Sequence, residues 1–430
     1  MNRSIFLLLL ILLLGWGSWS YIYGVLDPFW RAQRAGSVGG AYHSDFYARW
    51  LGTRLTLVHH ANPYSESVTK EIQEGIYGHP LDPASKMDPH AFAYPAYVMV
   101  LIAPFTIFPF GIAGTVFSVI LFLMALSLGP LLMFGLGQNW SPRSRWITVV
   151  ALFASFPLVE ALYVQQFVIL VMFTIAAGLA LLLKKRLVSA GIMFAFSTIK
   201  PQLSVLMLAW LFLWSVARWR TRSRLLFSFL ATMLLLVLSA ELLVPGWFKG
   251  WLGSISAFLR YPDMKAPAEW LLPPTLARAI TLGVLVSMFV VLWRLRDSEP
   301  GEGNFTFASA LALATTLVIV PTWPALQYNQ ILLVPAALVL ARMCTQEIPA
   351  PRRVLSFFTL GVFAFSSVGA LFVSVATLVF KVPVAQLGNG AELPLVNFAV
   401  APFGAVAVMT YIYWTAICAQ LGGGMTPAPN

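Results

Sequence analysis

Thirteen apolar stretches recur along the chain, at 5–26, 94–109, 111–136, 146–163, 165–183, 187–199, 201–217, 225–244, 275–293, 305–320, 327–342, 353–373 and 396–418. A run of about 20 apolar residues is what a helix needs to cross a bilayer's hydrocarbon core. A helix also satisfies its own backbone there, which an irregular segment does not. Apolar side chains make up 59% of the chain and charged ones 10%, against about 25% charged in a soluble domain. No single water-facing core would bury that much apolar surface, so the expected class is an all-α polytopic membrane protein. The formal net charge of +11 would also suit a nucleic-acid binder. Here, however, Lys and Arg form short clusters between apolar stretches instead of interleaving with aromatics along one face, a pattern of membrane topology. Cys344 and Cys418 end different apolar stretches without metal-ligand spacing, so neither a disulfide framework nor a zinc site is indicated.

The first stretch follows Met-Asn-Arg and outruns a signal-peptide core, which reads as a retained anchor rather than a signal cleaved near Ser18 to Ser20. Basic clusters at Arg3, Arg143/Arg145, Lys184–Arg186, Arg218/Arg220/Arg222/Arg224, Arg294/Arg296 and Arg342/Arg352/Arg353 mark cytoplasmic ends. All six fall on one side only if one early stretch fails to cross. The stretch 94–109 holds Pro95, Pro104 and Pro109, so it is expected as a broken, re-entrant or interfacial element. About twelve crossings remain, with both termini cytoplasmic. Stretch 187–199 is short and Lys200-Pro201 stops it, predicting a tight outer hairpin.

The larger loops, 27–93, 245–274, 321–326 and 374–395, then lie outside. They hold all five histidines, which directs the search for a site to the extracytoplasmic membrane boundary. Arg31 and Arg34 fall outside too, against the positive-inside pattern, though a long loop weakens their vote. The organisation expected is one transmembrane domain over 1–420 and a Gly/Pro-rich disordered tail over 421–430. No repeat of fixed period is visible.

The loop stretch SDFYARWLGTRLTLVHHANPYS starts at Ser44, a good N-cap, and continues with helical apolar spacing, predicting an amphipathic interfacial helix over 45–60. Its polar stripe is Asp45, Arg49, Gly52, Thr56 and His59. Asp45 has two readings: a carboxylate complementing the helix N-terminus and pairing with Arg49, or a base kept ionised by both. His59 and His60 precede the turn Ala61-Asn62-Pro63-Tyr64 and fit a cap or a surface feature better than a metal site, which lacks the needed companions. His90, Tyr94, Gln165, Gln166 and Gln202 stand at outer boundaries, as pocket residues or as belt and cap residues. Lys200 either snorkels or neutralises a lipid phosphate with Arg49, Arg54 or Arg260. Loop 245–274, rich in Trp and Phe beside Lys249, Arg260 and Lys265, fits a second interfacial helix. Trp323, Gln327, Tyr328 and Asn329 fit sugar stacking and hydrogen bonding, or simple capping. Signatures of nucleotide, nucleophilic-serine and metal enzymes are missing, so a lipid-carried activated group suits the outer face better.

Taken in order, DFYARW with Asp45, NPYS from Asn62, FAYPAYVMVLIAPFTIFP from Phe92, QQFVILVMF from Gln165 and IKPQLSVLML from Ile199 resemble landmarks of the membrane glycosyltransferases of family 87. These are GT-C-type enzymes related to polyprenyl-phosphate-mannose-dependent mannosyltransferases. The resemblance covers roughly 1–345. It implies a GT-C fold and transfer of a sugar, mannose in the related enzymes, from a polyprenyl phosphate to an extracytoplasmic lipid or glycan acceptor, with no nucleotide, metal or other cofactor. It further implies Asp45 as general base and cations such as Lys200 on the departing phosphate. Beside it, the residues themselves offer a sugar or acceptor pocket of His59, His60, Tyr64, His90, Tyr94, Gln165, Gln166, Gln202, Trp323, Gln327, Tyr328 and Asn329. Its partners would be the lipid-linked donor, the acceptor and membrane lipids, with no nucleic acid and an unassigned oligomeric state. One departure stands out: relatives often carry histidines in a late outer turn, where PTWPALQYNQ (321–330) has Tyr328 and Asn329. A flippase for a lipid-linked sugar and a non-catalytic membrane assembly factor are the competing readings.

Overall fold

The computed structural model describes residues 3–82, 85, 87–137, 140–259, 264–345 and 348–422. Arg260 and the tail beyond residue 422 lie outside these residues. Among the described residues every regular element is helical. The chain opens with α1 (Arg3–Tyr21), which continues through a π turn, Ile22–Leu26, into α2 (Asp27–Gln33). The first apolar helix therefore extends past the expected boundary at residue 26. Next come α3 (Asp45–His59) and α4 (Glu66–Tyr77), each started by a serine whose hydroxyl accepts an N–H in the first turn.

The triple-proline stretch forms only one-turn pieces, Ala96–Val98, Met99–Ile102 and Ala103–Ile107. The next long helix is α5 (Phe110–Gly135). Helices α6 (Pro142–Ala154) and α7 (Phe156–Tyr163) meet at a bend of 61°. Pro157 in the first turn of α7 and the extended Ser155 explain that break, and Ser367 Oγ takes up the freed Phe156 N–H at 3.0 Å.

The remaining helices run as α8 (Val168–Leu183), α9 (Leu187–Phe196), α10 (Pro201–Ala217), α11 (Trp219–Leu243) and α12 (Trp247–Leu259). Then follow α13 (Pro274–Leu295), α14 (Gly303–Ile319), α15 (Val334–Thr345), α16 (Ala350–Ser374) and α17 (Val400–Gly422). By length and apolarity, seven helices among the described residues suffice to cross a membrane, or eight if the bent pair counts as one span. Four further apolar segments, Val168–Leu183, Leu187–Ile199, Pro201–Ala217 and Gly303–Ile319, are shorter than 18 residues. They occupy the places where further crossings were expected. The coarse architecture is thus a multi-pass helical membrane protein.

Small residues let these helices touch, since lipid-facing surfaces gain nothing hydrophobic by associating. A Cβ on Gly135 would lie 2.7 Å from the Ala180 backbone, and one on Gly178 would lie 2.6 Å from the Phe194 ring. Gly17 meets the Leu371 backbone equally closely, and Ser374 Oγ donates to the Gly17 carbonyl at 3.0 Å. At the end of the bundle opposite Asp45, buried Arg222 donates to the carbonyls of Trp214, Arg296 and Ser298 and pairs with Glu299 at 2.7 Å. One arginine of the basic clusters is therefore a structural clamp.

Candidate active site

The site grows from the turn that ends α7. Val164 N–H closes on the Glu160 carbonyl at 2.9 Å, and Gln165 then takes a left-handed conformation with φ of 54°. That conformation costs a non-glycine residue about 1–2 kcal/mol, so something must hold it. The holder is α3. Asp45 N–H donates to the Val164 carbonyl at 2.9 Å, and the Ser44 hydroxyl donates to Gln165 Oε1. Gln165 Nε2 donates in turn to the Gly114 carbonyl at 2.9 Å and to Ser118 Oγ at 2.8 Å on α5.

The reversal aims the two neighbouring glutamines at different partners. Gln166 Nε2 donates to Asp45 Oδ2, while Gln166 Oε1 accepts from Lys200 Nζ at 2.5 Å and from the Tyr94 hydroxyl at 3.3 Å. A carboxylate only accepts, so Asp45 fixes which way this amide points and turns its carbonyl to Lys200. Asp45, Gln166 and Lys200 form one continuous chain. Gln166 and Lys200 are buried, and Asp45 is partly open.

Arg49 lies one turn along α3 and donates to the Asp45 carbonyl at 2.7 Å, not to its carboxylate. Its guanidinium stacks 4.3 Å from the Tyr94 ring centre, and its buried Nε has no partner. Lys200 Nζ stands 5.9 Å from the same ring and 5.1 Å from that of Tyr328. Two buried basic side chains therefore share one aromatic wall with N–H donors to spare; burial pulls Lys200 down to about 7 against the pull of Asp45, and an arriving anion favours its charged form. Burial pushes the Tyr94 hydroxyl well above its ordinary pKa, with Arg49 opposing. Burial likewise pushes the His90 imidazole below its usual range, against the pull of Asp88. His90 therefore stands neutral near Asp45 and Arg49.

The other residues singled out from sequence divide. Tyr64 donates its hydroxyl to the Tyr94 carbonyl at 2.8 Å, bracing that wall. Tyr328 is buried against Lys200, and Asn329, beside it, has a buried Oδ1 without a partner. Arg54 lies elsewhere, donating to the Thr106 carbonyl at 2.8 Å. Gln327 ties the late turn to the Leu395 carbonyl. Trp323 packs on Trp270 with ring centres 6.2 Å apart. His59, His60 and Gln202 are exposed, with His60 serving as the left-handed C-cap of α3. Most of the stripe foreseen on that helix, Arg49, Gly52 and Thr56, turns inward rather than to water, while His59 remains outside.

Sequence reading passed over Glu160. It is buried on α7, accepts a hydrogen bond from the Tyr328 backbone, and leaves Oε2 unpartnered. A lone carboxylate inside FPLVEALYV was its signal, because an acid within an apolar span is rarely incidental.

A helical multi-pass membrane protein with a buried carboxylate–amide–ammonium chain at one end of its bundle is the class that fold and geometry define. Residues 92–264 match the family model of glycosyltransferase family 87, a stretch that contains Tyr94, Glu160, Gln165, Gln166 and Lys200. No curated protein and no solved structure matches the chain.

Proposed function

We propose that the protein transfers a sugar from a polyprenyl phosphate sugar to an acceptor hydroxyl at the membrane boundary, with Asp45 as general base. The observation that carries this reading is the Asp45–Gln166–Lys200 chain, which brings a partly open carboxylate and a buried cation to one place. The acceptor oxygen attacks the anomeric carbon and its proton passes to Asp45. The bond from that carbon to the phosphate oxygen breaks, and the electron pair leaves with the polyprenyl phosphate. Lys200 and Arg49 receive the charge that grows on the phosphate, in a setting where fixed donors act more strongly than in water. Tyr94 and Tyr328 wall the sugar. The side of the membrane is the extracytoplasmic one, because the basic clusters mark the other end of the bundle.

The test is Asp45→Asn in the full chain. Transfer from a radiolabelled polyprenyl phosphate mannose to an alkyl mannoside should fall by about 10²–10⁴, while binding of polyprenyl phosphate persists. Full transfer by the variant removes Asp45 from the chemistry. Movement of the headgroup across liposomes without any covalent product favours a flippase instead.

A further inference from the structure

Ser118 accepts from Gln165 on one side and lines a second cleft of about 500 Å³ on the other. This cleft lies between α1–α2, the Tyr42–His43 turn, α5 and α7, and none of the residues assigned to the reaction lines it. Its lower part is apolar and open sideways: Tyr23, Val119 and Phe122 are 52%, 53% and 44% exposed, on helices long and apolar enough to cross a membrane. Its upper part is polar, formed by Arg31, Tyr42 and His43 around Asp27. A slot apolar below and polar above fits one amphiphile standing at the bilayer boundary.

The polar end also states a charge preference. Asp27 is already saturated, since Oδ1 accepts from the hydroxyls of Tyr42 at 2.6 Å and Tyr163 at 2.8 Å, and Oδ2 accepts from Arg31 at 2.9 Å. Arg31 makes both of its hydrogen bonds through Nη2, so Nε and Nη1 remain for a ligand on a side chain that is 69% exposed. Burial holds the His43 imidazole down to about 4, with Arg31 and Arg34 adding to the effect, so His43 is neutral at pH 7. The free donors at this end are thus cationic. Arg31 is also among the arginines that stand at the Asp45 end of the bundle against the positive-inside pattern. A phosphate in the adjacent leaflet would account for that placement.

We infer that this cleft seats the headgroup of an anionic membrane phospholipid, with its phosphate on Arg31 and a chain along Tyr23, Val119 and Phe122. Because Ser118 is shared, the bound lipid lies across one glutamine turn from Asp45. The inference does not depend on the transfer reaction.

The test uses the full chain in nanodiscs of phosphatidylcholine with phosphatidylglycerol, and native mass spectrometry of the lipids retained on release. The wild type should retain phosphatidylglycerol over phosphatidylcholine. Arg31→Gln should weaken that retention about tenfold, the worth of one charge-assisted hydrogen bond. Val119→Trp, which fills the apolar part without touching a charge, should do the same while melting as wild type does in pure phosphatidylcholine. Equal retention of the two lipids, or retention unchanged in both variants, overturns the inference. Displacement by soluble glycerol phosphate alone would make this a free-anion site and overturn the lipid assignment.

Discussion

Gln166 is the joint on which the proposed chemistry turns, and Gln166→Met is its most informative perturbation. Methionine keeps the volume and removes both the N–H that holds Asp45 and the carbonyl that holds Lys200. Each of these is a hydrogen bond to a charged group, worth about 1.5–3 kcal/mol, and the residue is 1% exposed, so little water is at hand to replace them. Loss of placement at the base and the cation should slow transfer by about 10²-fold, as for one preorganised donor. The sharper measurement is a double-mutant cycle with Lys200→Met, assayed by initial rates of transfer from a polyprenyl phosphate sugar. If Lys200 acts through the amide, the double variant is only as slow as the worse single one, a coupling of about 1–3 kcal/mol. Rates that multiply, with coupling under about 0.5 kcal/mol, would refute the idea that carboxylate, amide and ammonium work as one unit.

Two more outcomes follow from the region around α3. The unfolded chain takes a proton on His43 near pH 6.5, whereas the folded chain resists until about 4. Stability should therefore be full above pH 6.5 and decline as pH falls, by at most about 2 kcal/mol at pH 5. His43→Gln should flatten that part of a thermal-melt series in detergent, and an unchanged slope counts against the buried neutral imidazole. Gly75→Ala places a Cβ on the Tyr47 hydroxyl, overpacking worth about 1–3 kcal/mol that outweighs the helix-propensity gain of about 1 kcal/mol. A melting temperature equal to the wild type's would show that α3 and α4 yield more easily than their contact implies.

How much of this was legible beforehand depends on the range of each interaction. Apolar length is local, so every stretch singled out from sequence lies on a helical segment, the triple-proline one as single turns. The number of crossings is less legible, because four of the segments expected to cross are shorter than the usual spanning length. Asp45, Gln166 and Lys200 could each be picked out as polar residues at apolar boundaries, but the bond between the first two spans 121 residues and nothing local specifies it. Amphipathic periodicity gave a polar stripe on α3 but not its direction. With Phe92 packed on Gly52 and Tyr94 on Arg49, the stripe is covered by the chain that returns from the loop. Arg54 and Gln327 look like ligand groups in sequence and are occupied by backbone carbonyls, as buried donors usually are.

The left-handed turn at Gln165 links these observations. A glycine would adopt that φ without strain, yet it could not hold Ser44, Gly114 and Ser118 together. The strain is sustained because one side chain fastens the cap of α3 to α5, and with it the height of Asp45 above the bundle. It also separates two environments, the Asp45–Lys200 centre on the Gln166 side and the Arg31 cleft on the Ser118 side. Movement at Ser118 has a side-chain route to Asp45 through Gln165 and Ser44, beside the links that Val164 and Gln166 make to Asp45 directly. Gln165→Gly would relax the backbone and cut that route in one step, so a rate loss there without loss of thermal stability would assign the turn to function rather than to folding.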